Sequence, residues 1–334
     1  MATETLTLLL IGSGAAILLN CIHRCYAVDL KSREFLDEID KKVVFLSNLH
    51  HILMISFLVG YLAVFVMIIT GFSIGNNLVI GLIFFFGAIF VFISHARQVN
   101  MLMAVRRHNR ALMKSNKEML LTQDVTIFAL AYQAELRDQE TGQHIERTQH
   151  YVRLLAHQLA QTPKYEEYMT AQYIEGLVKA APLHDIGKVG VPDSILQKPG
   201  KLSPEEFAVI QRHCEYGTKV LELADSKLTF QSFLKIAIQI VRSHHEKWDG
   251  SGYPAGLEGE AIPLSGRIMA VADVYDALRS RRCYKPAMSH ESAMQIFREE
   301  SGKQFDPCIV DALCRCEHDF ARVAAAMDDS DLRN

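Results

Sequence analysis

Apolar residues follow two different patterns in the two parts of this chain. Near the N-terminus, three long apolar runs cover about residues 6–22, 49–72 and 78–95. From about residue 123 onward, apolar residues recur at the 3.6-residue spacing of amphipathic helices, and no alternating strand pattern occurs. The pattern predicts an all-α chain in which transmembrane helices precede a helical domain. The helical segments predicted in that domain are 124–138, 143–161, 166–181, 204–224, 229–244, 264–279 and 289–300.

The apolar runs have the composition of membrane spans. A span needs about 20 predominantly apolar residues, which the second and third runs supply clearly and the first supplies marginally. No Asp, Glu, Lys or Arg occurs between residues 43 and 96. A cleaved signal peptide is the alternative for residues 1–22, although no basic residue precedes that run. We therefore expect residues 1–96 to form a membrane region with three spans.

Of the four segments that border these runs, two carry basic residues and two carry none. Residues 23–48 carry five Lys or Arg and residues 97–122 carry six, whereas the N-terminal segment and the Ser73–Asn77 turn carry none. Because basic flanks stay in the cytoplasm, the chain is predicted to be a multi-pass protein of the cell membrane with its C-terminal domain in the cytoplasm.

Residues 97–122 form a predicted connector helix without Pro or Gly. A seven-residue repeat can be drawn along it, and Asn at a core position often sets register and dimer state. The alternative is a solvated basic helix beside anionic lipid. We expect a homodimeric coiled coil through residues 97–122. Its core positions would be Leu102, Val105, Asn109, Leu112, Asn116 and Met119.

Composition narrows the possible function of the C-terminal part. The chain has 334 residues and a formal net charge of −3, which argues against binding a nucleic-acid polymer. Residues 123–334 hold 24 basic and 31 acidic side chains, a net of −7, so an anionic substrate would need metal ions to supply positive charge. The seven cysteines form no CxxC pair, which excludes a zinc ribbon of that type.

Several residues of this domain have the chemistry of metal ligands. His184 and Asp185 are adjacent, and an imidazole and a carboxylate can serve one metal centre. Asp273 lies in an otherwise apolar helix, where a carboxylate is costly to bury unless it is paired or binds metal. These residue types leave a metal site and a set of ion pairs both open. The other candidate ligands are Glu140, His144, His213, His244 and His245.

The order of the motifs resembles the HD-GYP family, the cyclic di-GMP phosphodiesterase branch of the HD metallohydrolases. The resemblance runs from about residue 124 to 315 and implies a catalytic domain over residues 123–325. The motifs that carry it are Arg137-Asp138-Gln139-Glu140-Thr141-Gly142-Gln143-His144, His184-Asp185-Ile186-Gly187-Lys188, His244-His245-Glu246 through Gly252-Tyr253-Pro254, Asp273-Val274-Tyr275-Asp276, Arg282-Cys283-Tyr284-Lys285 and Gly302-Lys303-Gln304-Phe305-Asp306-Pro307.

The resemblance implies a role for each matching residue. Asp185 would bridge two divalent metals, iron or manganese, and Glu140 matches a position that recruits a third metal in some members. Lys188 would contact the scissile phosphate and act with Asp185 in catalysis. The metal ligands implied are His144, His184, Asp185 and Asp273 on one side, and Asp185, His213, His244 and His245 on the other. The substrate-binding residues implied are Asp138, Tyr253, Arg282 and Lys285.

The implied function is hydrolysis of the second messenger cyclic di-GMP to pGpG, and with Glu140 to GMP, at the bacterial inner membrane. One alternative is the same reaction on another cyclic dinucleotide, such as a mixed GMP–AMP ring. Another is a non-catalytic adaptor that binds a diguanylate cyclase or other signalling protein through the Gly-Tyr-Pro loop. Loss of metal ligands would favour the adaptor, and this chain retains them.

Overall fold

A computed structural model describes residues 2–33, 41–70, 77–138, 142–280 and 287–327 of the chain. Within these residues all regular secondary structure is helical, which confirms the predicted all-α class. The α-helices of the described residues are α1 (Ala2–Arg33), α2 (Lys41–Ile69), α3 (Asn77–Glu135), α4 (Gly142–Leu159), α5 (Ala171–Ala180), α6 (Asp193–Leu196), α7 (Pro204–Gln211), α8 (His213–Asp225), α9 (Leu234–Ser243), α10 (Leu264–Arg279), α11 (His290–Glu299), α12 (Pro307–Arg315) and α13 (Glu317–Ala326). The short 3-10 helices are Leu136–Asp138, Ala181–Leu183, Ile186–Gly190 and Gly259–Ala261.

The chain forms two compact units, Met1–Lys117 and Glu118–Asn334. In the first unit, α1 and α2 pack on each other and on the start of α3. Gly14 lies against the ring of Tyr61, so closely that a Cβ atom at position 14 would overlap it. Small residues at such points allow helix backbones to approach each other. Among the described residues of this unit, the buried hydrophobic ones are Ile11, Leu18, Cys21, Met54, Tyr61 and Ala88.

The outer surface of the first unit is also apolar. Large side chains such as Leu9 and Phe90 are 66% and 73% exposed. By length and composition, one helical stretch of the described residues is able to cross a membrane, Thr5–His23, while Met54–Ile69 and Ile80–Ala96 are shorter. A signal sequence or a buried core helix meets the same test. The prediction of three spans is therefore not confirmed, and part of the second predicted span, residues 71 and 72, lies outside the described residues.

The predicted connector is part of a longer helix. α3 runs without interruption from Asn77 to Glu135, so the helices predicted over 97–122 and 124–138 are continuous. The apolar positions of the predicted seven-residue repeat are exposed, as are all described residues from 102 to 126, so exposure does not distinguish one face of this part of the helix from another.

The second unit is built around a core in which α4, α10 and α13 meet. The ring of Tyr151 stacks on that of Phe320 at 4.5 Å and meets the edge of Tyr275 at 5.1 Å. All three side chains are fully buried. Burial of such large aromatic side chains is the main stabilising contribution in a core of this size. The core holds α4 and α10, which carry His144 and Asp273, in a fixed relation.

The helix predicted over 204–224 is instead two helices. α7 ends at Gln211 and α8 begins at His213, although no Pro or Gly separates them. Nδ1 of His213 donates to the carbonyl oxygen of Ile210 at 2.8 Å. The imidazole therefore satisfies a carbonyl that the break leaves without a helical partner, and the break turns its Nε2 towards Asp185.

Candidate metal centre

The His184-Asp185 pair lies on a tight turn between helices. α5 continues into the 3-10 helix Ala181–Leu183, and a second 3-10 helix, Ile186–Gly190, follows the pair. A Cβ atom on Gly187 would overlap the carbonyl oxygen of His213 and would lie 2.5 Å from the amide nitrogen of Gly217. Only glycine therefore lets this turn pack directly on the start of α8, which brings the pair next to His213.

Two imidazoles face one oxygen of Asp185, and a third lies beside them. Oδ1 of Asp185 lies 3.2 Å from Nε2 of His213 and 3.6 Å from Nε2 of His244. The Asp185 group, which we define as Asp185, His213, His244 and His245, has its potential ligand atoms within 4.8 Å of one another. His213, His244 and Asp185 are buried.

A second group lies on the other side of His184. Nε2 of His184 is 3.5 Å from Nε2 of His144, which in turn is 3.8 Å from Oε1 of Glu135. The Glu135 group, defined as Glu135, His144 and His184, is buried, and its potential ligand atoms also lie within 4.8 Å of one another. Oδ1 of Asp273 lies 3.8 Å from His144 Nε2 and 4.0 Å from His184 Nε2, at the edge of this group.

Asp185 lies between the two groups. Its Oδ1 faces the imidazoles of His213 and His244, while its Oδ2 is 3.4 Å from Nε2 of His184. Nζ of Lys188 is 2.7 Å from the same Oδ2. One carboxylate thus presents an oxygen to each group, which is the arrangement that a bridging ligand requires.

The imidazoles are oriented by hydrogen bonds at Nδ1. His184 donates to the carbonyl oxygen of Ala181 at 3.0 Å, and His244 donates to that of Ile240 at 3.0 Å. His213 makes the bond to Ile210 described above, and His144 makes one to Asp276 at 2.8 Å. Because Nδ1 carries the proton in each ring, Nε2 is the nitrogen whose lone pair faces the cluster. Such bonds from the far nitrogen are the usual support of metal-ligating histidines.

Asp276 links His144 to a buried arginine. Its Oδ1 accepts from Nε of Arg147 at 2.6 Å and its Oδ2 from Nη2 at 2.9 Å. Burial raises the pKa of Asp276, but the hydrogen bonds from His144 and Arg147 outweigh this and hold the pKa at about 2. The carboxylate is therefore ionised at neutral pH, and it increases the basicity of the His144 imidazole.

The protonation states suit a metal site. Burial lowers the pKa of His213 to about 4 and also lowers the pKa of His184. Burial raises the pKa of Asp185, but the charge of Lys188 and the nearby His184 hold it well below its usual range. At neutral pH His184 and His213 are thus neutral and Asp185 is ionised, which are the forms that bind divalent metals.

Two buried acceptor atoms indicate whether the site suits a metal ion. Oδ1 of Asp185 and Nε2 of His244 are buried and make no hydrogen bond with any residue that the structure describes. Two lone-pair acceptors that face each other in a buried site are unfavourable unless a cation lies between them. The residues of both groups therefore fit divalent metal ions.

Comparison with known proteins identifies the family. A sequence model described as "HD domain" matches residues 130–309, more than half of the chain. The chain belongs to the HD domain family. The match includes Glu135, His144, the His184-Asp185 pair and Asp273, so both groups lie within the HD domain.

Curated relatives of this HD domain carry related names. A "Cyclic di-GMP phosphodiesterase" of Vibrio cholerae serotype O1 is 52% identical over 231 residues, which are 69% of this chain and 47% of the relative. A "3'3'-cGAMP-specific phosphodiesterase 2" of the same organism is 41% identical over 61% of this chain and 36% of its own length. A "Cyclic di-GMP phosphodiesterase" of Thermotoga maritima is 41% identical over 59% of this chain and 50% of its own. The chain spans about half the length of these relatives, or less.

The other residues expected from the sequence lie in different positions. The ring of Tyr253 in the HD domain stacks on His245 with 4.7 Å between centroids, so the Gly-Tyr-Pro loop covers the Asp185 group. Glu246 holds this loop, since its carboxylate accepts from the backbone amides of Ala255 and Leu257 at 2.8 and 3.0 Å. The predicted site residues that lie outside the described residues are Glu140, Arg282, Lys285 and the side chain of Asp138.

Sequence reasoning did not select Glu135 or Arg137. Arg137 donates to the carbonyl oxygens of Val189 and Val191 and to Asp193, and so holds the turn that carries Lys188. Glu135 had a detectable signal, because it continues the buried stripe of Ile127, Ala131 and Ala134 along α3. Arg137 begins one of the quoted motifs, but its role was not predictable because its partners, two backbone carbonyls and the Asp193 carboxylate, lie more than 50 residues away in the sequence.

Proposed function

We propose that this chain is a metal-dependent phosphodiesterase that hydrolyses cyclic di-GMP to pGpG, with GMP as a further product. The observation that carries the proposal is the pair of buried ligand groups joined by Asp185. The names of the Vibrio cholerae and Thermotoga maritima relatives support the substrate. Two or three divalent ions, iron or manganese, suit this mixture of imidazole and carboxylate.

In this proposal, several residues of the chain position the substrate beside the metal ions. Bound divalent ions supply Lewis-acid activation of water and of the phosphoryl oxygens. Asp185 holds Nζ of Lys188 at the edge of the cluster, where its charge would stabilise the negative charge that develops on the phosphate. Arg282 and Lys285 would bind the remaining phosphate and guanine groups. Tyr253, with Asp138, would border the substrate pocket.

A substrate comparison on the full chain tests this proposal. We expect kcat/KM for cyclic di-GMP to exceed that for the mixed 3'3' GMP–AMP ring by about tenfold, the equivalent of one hydrogen bond at about 1.4 kcal/mol. The measurement is product analysis by chromatography on manganese-loaded protein, with both rings at equal concentration and pGpG and GMP quantified.

Two other results would change the assignment. Hydrolysis of the mixed ring alone would favour the second candidate function, which the 41% identical cGAMP-specific relative supports. Binding of either ring without turnover by fully metal-loaded protein would favour an adaptor that recruits a diguanylate cyclase through the Gly-Tyr-Pro loop.

We further propose that the chain is a multi-pass protein of the bacterial inner membrane, with its HD domain in the cytoplasm, and that it dimerises through residues 97–122. The apolar outer surface of the first unit supports the membrane location, since soluble proteins rarely expose so many large apolar side chains together. The seven-residue spacing of Val105, Leu112 and Met119 supports the dimer.

Cross-linking in native membranes tests both parts. The chain should stay with the membrane fraction after a high-salt wash. Leu112→Cys, in the predicted core, should give an oxidised dimer on gels, whereas Arg107→Cys, on the outer face of the same repeat, should give no more dimer than the unmodified chain. Release by salt would contradict the membrane location, and equal cross-linking at both positions would contradict the coiled coil.

A further inference from the structure

Glu135, the last residue of α3, is a buried carboxylate that no motif selected. It is 1% exposed and lies on the same helix face as Ala131 and Ala134, which are also buried. A carboxylate in such a position is stable only if a positive charge or hydrogen-bond donors compensate it. What surrounds its oxygens therefore decides its role.

Two side chains of metal-ligand type, His144 and His184, lie close to the carboxylate of Glu135. Oε1 lies 3.8 Å from His144 Nε2, and that nitrogen is 3.5 Å from His184 Nε2. Oδ1 of Asp273 is 3.8 Å from the first nitrogen and 4.0 Å from the second.

Both imidazoles in this group present a lone pair to the same space. His144 donates its Nδ1 proton to Asp276 and His184 donates its own to Ala181, so neither Nε2 carries a proton in the neutral ring. Two nitrogens and two carboxylates that are all acceptors repel one another unless a cation binds among them.

The spacing of these atoms matches a single coordination shell. Ligand atoms about 2.1 Å from a metal and at right angles or more to each other are about 3 to 4 Å apart. The contacts given above, from 3.5 to 4.0 Å, lie within that range.

We propose that Glu135 is a direct ligand of the divalent metal that His144 and His184 hold, an inference that rests on the proposed metal-dependent function. The carboxylate comes from the end of α3, nine positions before His144 in the sequence. The resemblance to the family instead assigns the additional carboxylate to Glu140. The two glutamates can be distinguished by experiment.

Metal content of full-length variants tests this proposal. The chain and the variants Glu135→Gln, Glu140→Gln and Asp185→Ala are purified anaerobically in detergent, and bound manganese and iron are counted by mass spectrometry. We expect Glu135→Gln to lose about one ion per chain, or to bind its weakest manganese ion at least about tenfold less tightly, which is about 1.4 kcal/mol. Glu140→Gln tests the other candidate carboxylate, and Glu146→Gln, at an exposed glutamate of α4, is the control that should keep the metal content of the unmodified chain.

A melting curve in chelator separates ligation from a structural role. A ligand removed as its neutral isostere should leave the metal-free protein at least as stable, because the buried negative charge is gone. Unchanged metal content and affinity in Glu135→Gln would overturn the proposal, and so would metal loss accompanied by a large fall in metal-free melting temperature. Full metal content in Asp185→Ala would instead overturn the metal centre of the proposed function.

Discussion

Asp185→Ala is expected to remove bound metal and to lower turnover of cyclic di-GMP by at least about a thousandfold, the equivalent of about 4 kcal/mol. The side chain presents one oxygen to His213 and His244 and the other to His184. Its removal takes a ligand from both groups at once and releases Lys188, whose Nζ it holds at 2.7 Å. The measurements are metal content and initial rates with added manganese.

The control for Asp185→Ala is Asp311→Ala, which removes an exposed aspartate of α12. It should keep the metal content and the turnover of the unmodified chain. Asp185→Asn, with nearly the same shape, guards against a general loss of folding, and its melting curve in chelator should stay close to that of the parent. Turnover that survived in Asp185→Ala with added manganese would show that Asp185 does not bridge the metals.

Asp276→Asn is expected to produce the largest loss of stability of any change near the site. Both side chains of the Asp276–Arg147 pair are 4% exposed or less. Removing one charge of such a buried pair costs about 3 to 5 kcal/mol. The same change weakens the support of His144, and loss of such a partner typically lowers metal affinity by about 10- to 100-fold.

Thermal melting in chelator and a manganese titration measure these two effects separately. The matched control is Glu222→Gln, which breaks an ion pair with Arg242 at the surface, where both side chains are about half exposed. Exposed pairs contribute about 1 kcal/mol at most, so this variant should melt within a few degrees of the parent. Equal melting shifts in the two variants would mean that burial does not determine how much the Asp276–Arg147 pair contributes to stability.

The sequence predicted most helices of the second unit because their apolar residues have a clear period. α10 has the same bounds as the segment predicted at 264–279, and α11 differs from the prediction by one residue at each end. The helices α12 and α13 were not predicted. The apolar residues Ile309, Val310 and Leu313 of α12 do have helical spacing, and both helices pack against α4 in the core, where Phe320 meets Tyr151.

The division of residues 204–224 into α7 and α8 was also not predictable. No Pro or Gly lies between α7 and α8, and the contact that the break allows, from His213 Nε2 to Asp185, joins two different segments of the chain. The position of Asp185 depends in turn on Gly187, whose lack of a side chain allows the turn to reach α8. These are contacts between segments distant in sequence, and a single-sequence pattern does not contain them.

The sequence by itself determined the helical class, the apolar N-terminal region and the motif order that identifies the residues of the Asp185 group together with His144, His184 and Asp273. Their roles as ligands stay predictions. Only the tertiary structure decided that Asp185 lies between two groups, that Arg147 pairs with Asp276, and that Glu135 joins His144 and His184. The physical reason is that a motif records the type and order of side chains, whereas a metal site depends on the directions of their lone pairs, and packing between helices sets those directions.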